Sequence, residues 1–168
     1  MQLVQDLEAT QAELEALEAP EQLRWAHGRF GRSFAVTTSF GTQSAVLLHL
    51  LVSVAPDVPV YWIDTGYLFP ETYQYAADLS ELLKLNLKVI QPELSPARME
   101  ALLGRLWESE NPDDLVTYHR LRKVEPLDQA LDAAEVSCWA SGVRAGQTDN
   151  RAAMRPLERL RGRWSLRP

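Results

Sequence analysis

Phe34-Ala35-Val36-Thr37-Thr38-Ser39-Phe40-Gly41-Thr42-Gln43-Ser44 is the stretch whose reading decides the fold. Its first five residues are apolar or β-branched and predict a buried strand. The next six gather small polar side chains around a glycine, and residues 45–52 (AVLLHLLV) then predict a helix packed on a sheet. A strand, a tight Gly/Ser/Thr turn and a helix N-terminus together make an anion site. The first helical N–H groups have no intrahelical partner, and the helix dipole places partial positive charge there. Gly41 lets the backbone approach an oxygen closely, and the hydroxyls of Ser39, Thr42 and Ser44 can donate to it. No lysine follows the glycine, so the turn is not a GxxxxGK[ST] loop. The same residues also read as an ordinary strand-to-helix turn with a serine cap, and the local sequence leaves both readings open.

The chain has 168 residues with 46% hydrophobic and 24% charged content, which is ordinary for one soluble globular domain. It holds a single cysteine, so a disulfide framework or an iron–sulfur site built by one chain is not expected. The acidic N-terminal stretch has no positive region before an apolar run, and the apolar run near residues 45–55 is too short to span a bilayer. The expectation is a cytoplasmic protein without membrane contact. The net charge of −6 is unevenly spread. Residues 1–114 carry 17 acids against 7 Lys+Arg, and residues 115–168 carry 6 against 10. An acidic body with a basic final third suits a small anionic ligand held at one place. It does not suit a nucleic-acid binder, which would show a broad basic face.

Outward from the central stretch, Leu3, Leu7, Leu14 and Leu17 predict an amphipathic helix ending before Pro20. Pro20 then opens a second helix through Leu23, Ala26 and Phe30, which Gly28 and Gly31 are expected to end. Val58 to Ile63 predicts a second strand running into Asp64-Thr65-Gly66. At the carboxyl end of such a strand, Asp64 can accept from a ribose hydroxyl or an amino group, or can cap the next helix. That helix is expected from Pro70 to Leu85, with Tyr73, Ala76, Ala77, Leu82 and Leu83 turned inward. A third strand follows at residues 87–90, and Ser95-Pro96 starts another helix. Residues 108–114, acidic around Pro112, are expected to form a loop.

Two arginines and a lysine fall within Arg120, Arg122 and Lys123, too close for one helix face, so at least one should point inward. Pro126 restarts a helix. Val136 to Ala140 predicts a fourth strand, ended by Ser141-Gly142, and Arg144, Gln147 and Arg151 follow as an anion clamp. Residues 157–166 predict a hairpin. Strands alternating with helices give an α/β fold, a doubly wound and mostly parallel sheet with right-handed crossovers and helices on both faces. Residues 1–31 form an N-terminal helical extension on a nucleotide-binding body of residues 32–168.

Four blocks carry a resemblance: SFGTQS at residues 39–44, VYWIDTGYLFPETY at 60–73, RKVEPL at 122–127 and GVRAGQTDNRA at 142–152. In this order and spacing the chain resembles the phosphoadenylyl-sulfate (PAPS) reductases of sulfate assimilation and cysteine biosynthesis. These lie within the PP-loop, adenine nucleotide alpha-hydrolase-like family. The resemblance implies that Ser39, Phe40, Gly41, Thr42, Gln43 and Ser44 cradle the phosphosulfate end of PAPS. It also implies that Asp64, Thr65 and Gly66 lie by the adenosine, and that Lys123, Arg144, Gln147 and Arg151 take part in binding. The ATP-cleaving relatives carry SGGxDS, whose Asp can help hold a magnesium–nucleotide. Gln43 stands there in this chain, and a neutral amide is a poor Mg²⁺ ligand, so no metal is expected. Relatives that reduce adenylyl sulfate (APS) carry a cysteine pair before RKVEPL that helps bind a [4Fe–4S] cluster. Tyr118-His119 stand there instead, which favours a cluster-free enzyme and PAPS. Cys138, in SCWAS, reads as a small core residue, and His119 as a solvated or anion-contacting side chain.

The resemblance further implies thioredoxin as reductant, adenosine 3′,5′-bisphosphate as product, and a nucleophilic cysteine in a C-terminal tail. No such cysteine stands in these 168 residues, so the expectation is a chain that binds substrate with no catalytic residue of its own. Two alternatives stay open: a PP-loop enzyme that adenylylates a substrate with ATP, and a non-catalytic sulfonucleotide binder. The amphipathic N-terminal helix leaves a homodimer open as well.

Overall fold

Six strands form one sheet in the computed structural model, which describes residues 6–142 and 155–168. They are β1 (Phe34–Thr38), β2 (Val60–Ile63), β3 (Leu87–Ile90), β4 (Cys138–Ser141), β5 (Leu157–Leu160) and β6 (Arg163–Leu166), in the order β3-β2-β1-β4-β6-β5. β1 pairs in parallel with β2 and β4, β2 with β3, and β4 with β6. Only β5 runs antiparallel, against β6. The hairpin turn Arg161-Gly162 has φ of 49° and 81°, the left-handed pair that a two-residue hairpin demands. The predicted α/β sheet is therefore the observed one. From β1 the chain proceeds outward through β2 and β3, then returns to place β4 on the other side. Such a reversal opens a crevice at the carboxyl ends of β1 and β4, where open α/β sheets bind ligands.

The described residues form seven α-helices, two before β1 and the rest between strands: α1 (Leu7–Glu15), α2 (Ala19–Phe30), α3 (Ser44–Val54), α4 (Pro70–Leu83), α5 (Pro96–Leu103), α6 (Pro112–His119) and α7 (Glu125–Ala133). The main core joins Leu23, Ala26 and Phe30 of α2 to Phe34 and Val36 of β1, Leu48 and Leu51 of α3, and Leu157 and Leu166 of the hairpin. Ala35, Tyr61, Leu131 and Val136 form a second cluster, to which α7 contributes Leu131. Both N-terminal helices pack on this body. Leu14 of α1 belongs to the main core, and the buried Gln11 amide donates to the Leu157 carbonyl at 2.9 Å.

Several local expectations change. Leu3 lies outside the described residues, and Leu7 is exposed, so Gln11 and Leu14 form the buried face of α1. Gly28 sits inside α2, and only Gly31, at φ 54°, ends it. In α4 the buried positions are Ala76 and Leu79, while Leu82 is 76% exposed and Ala77 is exposed too. The predicted loop at residues 108–114 is partly helix. Pro112 opens α6 behind an Asn111 cap, whose side chain accepts from the Asp113 N–H, and Asp113 and Asp114 complement the dipole in the first turn. Pro there marks a start, not a break.

α6 and α7 are joined by a π-helical turn, Arg120–Val124. The Glu125 N–H donates to the Arg120 carbonyl five residues back. The next residue, Pro126, has no N–H to return to residue 122, so the regular ladder cannot be kept and the turn widens.

Candidate functional site

The crevice is a cleft of ≈ 640 Å³ at the carboxyl edge of the sheet. Thr37 and Thr38 of β1 and Ser141-Gly142 at the end of β4 form its floor. Ser39, Gly41, Thr42, Gln43 and Ser44 rim it at the N-terminus of α3. Val46, Leu47 and Leu50 of α3, Ile63 of β2 and Leu127 of α7 supply an apolar wall. A volume of this size with a few convergent polar groups fits a small-molecule ligand.

Phe40 gives the rim its shape. It holds φ at 48°, rare for a side chain of its size, and its ring is 3% exposed. The ring meets Trp62 edge-on at 5.0 Å between centroids and Tyr75 at 6.4 Å. The Thr38 hydroxyl accepts from the Phe40 N–H at 3.1 Å. With the aromatic ring sunk into the core, the flanking Ser39 and Gly41 are held outward. Phe40 thus anchors the loop from below and does not line the cleft. Ser44 closes the turn, since both its N–H and its hydroxyl donate to the Gly41 carbonyl, at 2.8 and 2.7 Å. Gly41, Thr42 and Gln43 are exposed ahead of the first helical turn, where the dipole of α3 ends. A Cβ at Gly41 would meet only the Ser39 hydroxyl, at 3.6 Å, so there is open room above the loop for a ligand atom.

The loop leaving β2 is built differently. Asp64 accepts from the Gly66 N–H at 2.8 Å, the Tyr73 hydroxyl at 2.6 Å and the Gln91 amide at 3.1 Å. Burial pushes the Asp64 carboxyl up, but these three bonds and the charge of Arg122 outweigh it and hold the group below its ordinary value. Tyr73 is correspondingly pushed up to about 12 by burial and by its bond to Asp64. Gly66 needs its φ of 75°, and a Cβ there would lie 2.5 Å from Pro96 Cγ. Thr65 is buried, and its carbonyl accepts from Arg122. Asp64, Thr65 and Gly66 thus sit at the end of β2 beside the cleft wall, without lining the cleft.

Of the three basic residues around the π turn, Arg122 is the one turned inward, at 1% exposure. Lys123 is exposed, with Nζ 5.8 Å above the Tyr118 ring. Arg120 pairs with Glu125 on the surface. His119 is also exposed, and partial burial with the nearby Lys123 charge lowers its pKa. Arg144, Gln147 and Arg151 lie outside the described residues.

The basic final third reads differently once folded. Arg163 pairs with Asp128 and Asp132, Arg161 with Asp128, and Arg167 with Glu158 at 2.7 Å. Arg155 donates to the Gln11 side chain at 2.6 Å. These hairpin arginines tie β5 and β6 to α7 and α1. Cys138 is fully buried in β4, and burial pushes its thiol well above the usual range. Among the described residues no group of three or more His, Cys, Asp or Glu side chains could hold a metal ion, and no helix is long and apolar enough to cross a membrane.

Sequence reasoning did not single out Thr37, Thr38 or Leu127 as part of the cleft, nor Arg122 as the buried member of its trio. The strand-end position of the threonines was the available signal. For the π turn that selects Arg122 over Lys123 the one signal was Pro126, which marks a disturbed ladder but not the side chain it turns inward.

Residues 33–166 match the family model of the phosphoadenosine phosphosulfate reductase domain. A relative in a Synechococcus species named phosphoadenosine 5′-phosphosulfate reductase is 52% identical over 166 residues, covering 99% of this chain and 72% of the relative. One of the same name in a Synechocystis species is 46% identical, covering 97% of this chain and 66% of the relative. The crystal structure of a PAPS reductase from Candida auris, a phosphate complex, superposes with a TM-score of 0.80 at 30% identity. It covers 96% of this chain and 76% of that one. The open hydroxyl loop, the parallel sheet that carries it and these matches together make the chain a member of the phosphoadenosine phosphosulfate reductase family.

Proposed function

We propose that this chain forms the substrate-binding body of a thioredoxin-dependent phosphoadenylyl-sulfate reductase, which converts PAPS to sulfite and adenosine 3′,5′-bisphosphate. The observation that carries this reading is the cleft itself. Ser39, Gly41, Thr42, Gln43 and Ser44 rim it at a helix N-terminus, beside an apolar wall. That combination suits a nucleotide with an anionic end. The relatives named as phosphoadenosine 5′-phosphosulfate reductases, and the phosphate complex of the Candida auris PAPS reductase, support the same ligand class.

In this reading the residues 39–44 loop donates to the phosphosulfate oxygens and the apolar wall excludes water from the base and ribose. Lys123 at the surface, with Arg144, Gln147 and Arg151, supplies further polar and positive groups. A thiolate attacks the sulfonate sulfur, the sulfur–oxygen bond to the phosphate breaks, and the bisphosphate leaves with that electron pair. The product is an S-sulfocysteine. A thioredoxin dithiol then attacks the cysteine sulfur, releasing sulfite and leaving a disulfide. Cys138 is not that thiol: inside β4, it is shielded from substrate and held protonated by burial.

Calorimetric titration with adenosine 3′,5′-bisphosphate, AMP and Mg-ATP in parallel tests the reading. Tight metal-independent binding of the bisphosphate and much weaker binding of AMP is the expected result. Preference for Mg-ATP would overturn it in favour of adenylylation chemistry.

A further inference from the structure

Arg122 is the largest fully buried side chain among the described residues. No carboxylate of the described residues lies within ion-pairing distance of it. Its Nε and one terminal nitrogen donate to the Thr65 carbonyl, and the other terminal nitrogen donates to the Leu94 carbonyl. The guanidinium carbon stands 5.5 Å from the centre of the Tyr67 ring. A buried cation held by neutral carbonyls is costly, so a group of this kind calls for a reason.

The reason lies in what it joins. Thr65 belongs to the exit of β2, Leu94 to the connection between β3 and α5, and Arg122 to the π turn between α6 and α7. One planar fork therefore holds three segments that are distant in sequence. The only glycine of the β2 exit lies against the same fork: a Cβ at Gly66 would stand 3.3 Å from an Arg122 terminal nitrogen. A lysine could not hold both carbonyls in this way, because its single ammonium has no fork.

We propose that Arg122 is a positioning residue for the nucleotide site, clamping the supporting β2 exit loop to the segment before α5 so that the cleft wall at Ile63, from which that loop leaves, is already in place when an anionic ligand arrives. The proposal rests on the ligand class given under Proposed function. Arg122 touches no part of the cleft itself. It acts through Thr65, two residues beyond Ile63 of the cleft wall.

The test compares Arg122→Met and Arg122→Lys with the unaltered chain in two measurements made below the melting temperature of every variant. Hydrogen–deuterium exchange reads residues 64–68 and 93–96 without ligand, and titration reads affinity for adenosine 3′,5′-bisphosphate. Arg122→Met is expected to raise exchange in both segments, to leave β1 and β4 protected, and to weaken binding about tenfold or more. Arg122→Lys should recover only part of each. Unchanged exchange in the two segments overturns the clamp. A lower melting temperature with unchanged affinity also overturns the proposal, because it would make Arg122 a support of the fold alone. If the unaltered chain does not bind the bisphosphate, the functional reading fails, while the exchange comparison still decides the clamp. If Arg122→Met does not fold, Arg122→Lys, which keeps the charge and loses the planar fork, is judged alone by the same two measurements: unchanged exchange or unchanged affinity overturns the proposal.

Discussion

The two loops that leave β1 and β2 stand side by side at one edge of the sheet, yet they spend their polar groups in opposite ways. The β1 exit anchors itself through a single sunken ring, Phe40, and leaves Ser39, Thr42 and Gln43 exposed to the cleft. The β2 exit consumes nearly every group it has: Asp64 on Gly66, Tyr73 and Gln91, and Thr65 on Arg122. A loop with unspent donors at a helix N-terminus can bind, whereas a loop whose groups are all spent can only support. Binding and support are therefore divided between neighbours, and substitutions should separate them.

The sharpest break is at the anchor. Phe40→Ala removes a buried ring with two aromatic contacts and should cost about 4 kcal/mol of stability, read by urea unfolding. Next comes a pair of glycines with contrasting fates. Gly66→Ala should cost about 3 kcal/mol, because a positive φ and a Cβ contact at 2.5 Å both oppose it. Gly41→Ala meets nothing closer than 3.6 Å and should change stability by less than about 0.5 kcal/mol. The same change should weaken nucleotide binding about tenfold, by filling the space a ligand oxygen needs. Equal losses of stability at the two glycines would erase the distinction between the loops.

Tyr73→Phe sharpens the comparison on the supporting side. Loss of its bond to the Asp64 carboxylate should cost about 1.5 kcal/mol at neutral pH. Asp64 is held below its ordinary value, so its contribution is complete above the unfolded carboxylate value of about 4 and disappears as pH falls through the lower folded one. The Tyr73→Phe penalty should shrink in that acid window. Tyr73 itself, pushed up to about 12, gives stability that is complete below about 10 and declines as pH rises toward the folded value. Unfolding curves stepped through both windows check each sign. A small effect is also expected far from the cleft. Glu158→Gln in the partly exposed Arg167 pair should cost less than about 1 kcal/mol.

The strand and turn at residues 34–44 were legible because periodicity, β-branching and a glycine before an apolar run all point one way. The hairpin was legible for a similar reason, Arg-Gly between two short strands. The burial of individual helix positions was not. Leu79 is buried and Leu82 exposed, because the sheet beneath α4 decides which stripe is covered, and an apolar side chain alone does not announce its partner. Pro112 misled for the opposite reason, since proline both breaks helices and begins them. The basic third was visible as charge, but sequence does not show that Asp128, Asp132 and Glu158 would meet the hairpin arginines. Choosing Arg122 over Lys123 required the π turn, and although Pro126 forces that turn to widen, proline alone does not show which neighbouring side chain the widening turns inward.

The bond from Gln11 to the Leu157 carbonyl joins residues 146 positions apart. A ribosome therefore makes α1 well before the strand that receives it. Until that strand appears the helix lacks this tertiary contact, and a short isolated helix is barely stable in water. The seat of α1 on the hairpin is thus completed only after β1 to β4 have been made.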